Sequence, residues 1–147
     1  MAAPAPMDIL RDLAEKTLND TTSRLGRARQ AHAMEMHRLE QLQSYERDYR
    51  QRMQNTLVGE GVSVIALQAY QGFIGSLGRV VARQTHTVND SERAVEETLC
   101  AWRKDKQRLN AFETLQNRAE ARRLLYENRQ DQKMMDEFAR RASQRNK

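Results

Sequence analysis

The sequence predicts an all-α fold: two long helices folded back as an antiparallel coiled-coil hairpin, the second helix longer and overhanging at the C-terminus. Three observations predict it. After Pro4 and Pro6 no proline interrupts the 147-residue chain. In the second half Ile74, Val81, Val88, Val95, Trp102 and Leu109 recur at a strict spacing of seven. Between the two helical patterns Gly59 and Gly61 flank a single residue.

Composition supports the same class. Charged residues make up 31% of the chain and apolar ones 39%. Large apolar residues arrive at about two per heptad, which builds a narrow seam and not the wide faces of a globular core. Disordered chains are also polar, but they are rich in Pro, Gly and Ser. An unbroken run of Ala, Arg, Glu, Gln, Leu and Lys favours long helices instead.

The 1–7 segment, with its Ala-Pro repeats, is expected to be a flexible N-terminus. Asp8 is the expected N-cap of helix one, 8–56. Leu18, Leu25, His32, Leu39 and Met53 fall on one heptad position of that helix, with Leu42 and Tyr49 three residues on; Glu35 and Glu46 also land on the seam. Residues 57–62 form the turn. Helix two is predicted over 63–140, its second seam position carrying Tyr70, Leu77, Phe112, Ala119 and Tyr126, diluted by Gln84, Ser91, Thr98 and Asp105. A sustained repeat of seven implies a left-handed supercoil. The last residues, 141–147, are expected to be a basic, frayed tail of what is otherwise one hairpin domain.

A short turn makes the helices antiparallel. A turn centred on Glu60 makes facing residue numbers sum to about 119. Leu42 then faces Leu77, Tyr49 faces Tyr70, Tyr45 faces Phe73 and Leu39 faces Val80. Helix one, about 73 Å long at 1.5 Å per residue, ends near residue 110 of a partner about 115 Å long. Residues 111–147 are left without an intramolecular partner, and an isolated polar helix is marginal unless something docks on it.

No catalytic chemistry is legible. A phosphate-binding glycine loop is absent, and His32, His37 and His86 form no i, i+4 pair and have no nearby cysteine, which argues against a metal site. No cofactor is implied. Cys100, the only cysteine, falls on the outward face of helix two with no cleft to activate it. It also excludes an intramolecular disulfide and, with no signal peptide or membrane-length apolar run, places the chain in the cytoplasm. The net charge is +5. Nucleic acid is not expected as a partner, because no aromatics interleave with the C-terminal basic residues to stack bases.

Two stretches point to partners. Tyr45, Tyr49, Tyr70 and Phe73 gather near the turn, where Tyr and Phe beside Leu resemble the aromatic anchors of interface hot spots. The C-terminal stretch carries Met134, Met135 and Phe138 among dense charges with no helix to cover them. Gly72, Gly75 and Gly78 sit three apart on the outer face of helix two, where local flexibility is the simplest reading.

The run E-N-R-Q-D-Q-K-M-M-D-E-F-A-R-R-A, Glu127 to Ala142, resembles the C-terminus of the FliJ family of bacterial flagellar export proteins. D-L-A-E-K at 12–16, Y-x-x-F-I at 70–74, W-R-K-D-K-Q-R-L at 102–109 and T-L-Q at 114–116 agree in order along the chain. The resemblance implies a non-enzymatic antiparallel coiled coil, similar to the stalk of rotary ATPases. It implies insertion into a hexameric export ATPase ring (FliI-like), contact with a membrane export gate protein (FlhA-like), and escort or recycling of export chaperones. The chain would be cytoplasmic, peripherally associated with the inner-membrane export apparatus and not inserted in the membrane. Carried over, Leu42, Tyr45, Tyr49, Tyr70, Phe73 and Leu77 would bind the gate. Arg129, Lys133, Met134, Asp136, Phe138, Arg140 and Arg141 would bind the ATPase ring. The glycines at 72, 75 and 78 depart from the family pattern. Competing readings are the equivalent stalk of a virulence type III secretion system and a nucleic-acid-associated coiled coil.

Overall fold

The computed structural model describes residues 5–59, 61 and 63–146. Parts of the expected N-terminal segment (1–4), of the turn (Glu60, Val62) and of the tail (Lys147) lie outside the described residues. Two helices account for nearly everything else, α1 over Pro6–Gly59 and α2 over Val64–Arg145.

The ends of the helices follow from local chemistry. Proline suits the first helical position because its missing N–H has no intrahelical partner there. Asp8 and Ile9 donate their backbone N–H groups to Ala5 O at 3.0 and 3.3 Å, so Ala5 and not Asp8 begins the helix. Asp8 falls in the first turn, where a carboxylate still favours the positive end of the helix dipole. Gly59 closes α1, and Gly61 takes a φ of +64°, a left-handed conformation open to glycine at little cost. Ser63 then caps α2. Its Oγ accepts from Ala66 N at 3.2 Å and its carbonyl from Leu67 N at 3.0 Å. At the far end α2 stays helical to Arg145, past the expected limit at residue 140. No proline or glycine stops it, and a basic residue in the last turn suits the dipole.

Close contacts divide the chain into two compact units. The hairpin unit is Asp20–Arg103. Within it Tyr45 contacts Phe73, Gln84 contacts Glu35, Ser91 contacts His32 and Trp102 contacts Thr22, so numbers rise on one helix as they fall on the other. The two helices of this unit therefore run antiparallel, as predicted. Residues with reduced exposure recur at alternating intervals of three and four on both helices, the signature of a coiled-coil seam. Leu25, Leu77 and Thr21 are its buried members. Glu35 and Glu46, the two acids on the seam, are half-buried and each meets an arginine of its own helix, Arg38 at 3.0 Å and Arg50 at 3.2 Å.

The terminal unit joins Met1–Asn19 with Lys104–Lys147. Ala14, Leu18 and Leu109 are buried in it and Phe112 is half-buried. The Gln116 side-chain amide donates to the Asp8 carboxylate, which ties the first turn of α1 to α2. From residue 117 to 146 every side chain is exposed. The uncovered part of α2 thus begins six residues later than the expected 111. The helices end at Gly59 and restart at Val64, so the turn is centred beyond Glu60 and the pairing is displaced. Ala119 and Tyr126, which continue the heptad on paper, have no helix against them and are exposed.

Because so few side chains are buried, each carries a large share of the stability. Leu25→Ala is expected to lower the unfolding free energy by about 2 kcal/mol or more, read from urea melts followed by circular dichroism. Leu124→Ala, on the uncovered stretch, is expected to leave the melt within about 0.5 kcal/mol of wild type.

Candidate partner-binding surfaces

The first surface lies in the hairpin unit. Tyr49 and Tyr70 occupy seam positions, but their rings are too large for a two-helix core and spread out of it toward Tyr45 and Phe73. Tyr49 packs on Phe73 with centroids 4.3 Å apart and on Tyr70 at 6.1 Å. Tyr45 meets Phe73 edge-on at 6.4 Å and Tyr49 at 5.8 Å. Such tilted and edge contacts are the favoured aromatic geometries. The outcome is a packed patch in which Tyr45 is still 48% and Phe73 39% exposed. Shallow depressions flank it, one lined by Arg38, Gln41, Leu42, Tyr45 and Gln84 and another by Tyr49, Ala66, Ala69, Tyr70 and Phe73.

Of the six residues carried over for gate binding, the structure therefore brings four rings together and sets Leu42 beside Tyr45. Leu77 is different. It is buried in the seam and presents little surface of its own. The three glycines of α2 leave open space at their Cα atoms: a methyl group at Gly72 or Gly78 would meet nothing within 4 Å, and at Gly75 only the Arg79 side chain.

The second surface is the uncovered stretch of α2 in the terminal unit. Asp131, Met134, Met135 and Phe138 line one shallow groove, and Phe138 continues into a second with Arg141, Ala142 and Arg145. Met135 and Phe138 are 73% and 74% exposed. A separate polar face gathers Lys133, Asp136, Glu137 and Arg140. Met134 and Phe138 thus share one face while Lys133, Asp136 and Arg140 share another, and Arg129 lines neither. Residues 117–147 hold nine of the basic and five of the acidic side chains, so four of the five excess positive charges of the chain reside there.

Internal ion pairs support this unpartnered helix. Arg123 donates through Nη2 and Nε to both oxygens of Glu120, at 2.6 and 3.1 Å, and through Nη1 to Glu127 at 2.6 Å. Glu137 takes Arg141 at 3.2 Å and Arg140 at 3.9 Å. The hydrogen bonds from Arg123 hold the Glu120 carboxyl below its ordinary value, and the same contacts hold the Arg123 guanidinium above its own.

Sequence reasoning missed a further apolar group beside the turn. Val58 is 85% exposed, and Val64 and Ile65 are exposed as well. Ile9, Leu10 and Leu13 are likewise exposed on the first turns of α1. The available signal was their position: all are aliphatic yet off the seven-residue seam.

Comparison with known proteins returns the family that these sequence motifs resemble. The sequence matches the family described as Flagellar FliJ protein over residues 4–147. It is 39% identical over 145 residues to the flagellar FliJ protein of Salmonella typhi, covering 99% of this chain and 98% of the relative. To the flagellar FliJ protein of Escherichia coli (strain K12) it is 37% identical over the same span and coverage.

The Arg123 clasp has a testable pH signature. A carboxyl lowered in the folded chain adds stability that is complete above its ordinary value and is lost as pH falls through the lowered one. Glu120 is expected to titrate below the ordinary glutamate range by carboxyl NMR, with helix content of 117–145 declining through the same acidic window. Arg123→Ala is expected to return Glu120 to the ordinary range.

Proposed function

The chain belongs to the FliJ family of flagellar proteins, and from that premise we propose that it is a non-enzymatic, stalk-like coupler of the flagellar protein export apparatus. In this reading all 147 residues act as one coiled-coil hairpin domain. The uncovered stretch of α2 engages the export ATPase ring, and the aromatic patch engages the membrane export gate. Export chaperones are escorted or recycled by the same molecule.

One observation carries the proposal. About thirty residues of α2 remain helical and exposed beyond the last covered seam position, Gln116. An isolated helix of polar composition is only marginally stable in water, and this one exposes Met134, Met135 and Phe138. Covering that face in a partner's cleft removes the apolar area from water. The excess of arginine and lysine favours an acidic lining for that cleft. The aromatic patch supports the second contact, since pre-packed Tyr and Phe rings lose little conformational freedom on binding. Among the described residues no helix is long and apolar enough to cross a membrane; in this reading attachment to the inner-membrane apparatus is peripheral, through the gate.

Purified chain is expected to bind a FliI-type export ATPase and raise its turnover; no change in turnover or ring assembly would sink the reading. Arg140→Glu with Arg141→Glu is expected to weaken that binding at least tenfold, roughly 1.4 kcal/mol, and raised salt is expected to weaken the wild type in the same direction. Tyr45→Ala with Phe73→Ala is expected to cost about 2 kcal/mol or more in binding an FlhA-type gate protein. That pair is expected to impair motility while helix content and ATPase stimulation stay at wild-type levels.

A further inference from the structure

The seam of the hairpin unit has a polar section in its middle, crossed by two side-chain clasps. The Ser91 hydroxyl gives its one proton to Val88 O at 2.7 Å. Its oxygen is therefore the acceptor in the 2.9 Å contact with His32 Nδ1, which places a proton on that ring nitrogen. Seven residues away on α2, the Gln84 amide spends both its protons on one residue of α1. Its Nε2 donates to the Glu35 backbone carbonyl at 2.9 Å and to Glu35 Oε2 at 2.6 Å. The other carboxylate oxygen accepts from Arg38 at 3.0 Å. All four seam residues are half-buried.

The apolar part of the seam carries little register information in this region. Val81, Val88 and Val95 are identical residues at successive heptads. A slide of one helix by seven residues puts valine where valine was. What changes from heptad to heptad is the companion position: Gln84, Ser91 and then Thr98. A seven-residue slide breaks both interhelical clasps and sets Ser91 against Leu25 or Leu39, and a half-buried polar group left unpaired costs about 1–3 kcal/mol.

We propose that the His32–Ser91 and Glu35–Gln84 clasps are the register lock of the hairpin, holding α1 and α2 in one alignment at the expense of some stability. A single buried polar residue fixes register in other coiled coils by the same physics. The lock matters to the surface beyond it, because the aromatic patch is assembled from both helices. The 4.3 Å stacking of Tyr49 on Phe73 exists in one register only.

Disulfide trapping in the full chain tests this, with Cys100→Ser removing the native thiol. Ala28→Cys with Val95→Cys reports the register that His32–Ser91 defines, and Ala28→Cys with Val88→Cys or Trp102→Cys reports slides of one heptad. With the lock intact, the intramolecular disulfide is expected to form at least tenfold faster in the first pair than in either slipped pair. Replacing His32, Glu35, Gln84 and Ser91 together by leucine is expected to raise the melting temperature and to bring the slipped pairs within about threefold of the first. Glu35→Leu with Gln84→Leu repeats the test with half the change should the fourfold variant not fold. Glu35→Gln, which keeps an acceptor for Gln84, is expected to retain the selectivity. Leucine variants still confined to the first pair, or slipped disulfides forming as readily with the lock intact, would overturn the proposal.

Discussion

Everything in this molecule depends on a narrow helix-to-helix seam. Two residues per heptad are covered and the rest face water, so among the described residues the buried apolar set is only Ala14, Leu18, Leu25, Leu77 and Leu109. A globular protein of this length places recognition on loops held by a wide core. Among its described residues this one has two helices and few buried side chains, so most of its surface belongs to the helices themselves. The same scarcity explains why each seam position is used for a definite purpose: leucine where affinity is needed, tyrosine where the seam opens into a patch, polar clasps where alignment is at stake.

The seam also ends before α2 does. Covered positions give way to exposed ones after Gln116, where its amide meets Asp8, while α2 runs on to Arg145. Internal ion pairs such as those of Arg123 keep the uncovered stretch helical, but exposed pairs of this kind contribute little each. The stretch carries an exposed apolar face and a positive excess.

Much of this was legible in the sequence because seven-residue spacing is a strong signal. Six consecutive apolar residues from Ile74 to Leu109 predicted the inward face of α2, and the glycines flanking residue 60 located the turn. The aromatic partners followed from antiparallel arithmetic alone. What was not legible was set by single contacts. Asp8 looks like a cap, yet Pro6 at the first helical position moves the start upstream and leaves Asp8 free to hold Gln116. The limit of coverage was displaced because the turn is centred past Glu60, a detail of a few residues that no periodicity encodes. Leu77 was grouped with the aromatic residues by resemblance, and three-dimensional packing shows that it is buried in the seam. The aliphatic group at Val58, Val64 and Ile65 escaped notice because residues off the seam carry no periodic signature.

The central claim is that α2 has a paired part and a partner-seeking part within one continuous helix. Amide hydrogen exchange followed by mass spectrometry tests it most directly, with the chain alone and then with a FliI-type ATPase added. The account requires strong protection across 67–116 and weak protection across 117–145 in the free chain, with protection of the second stretch appearing on mixing. Uniform protection along α2 in the free chain, or an unprotected 117–145 stretch in a saturated complex, would contradict it.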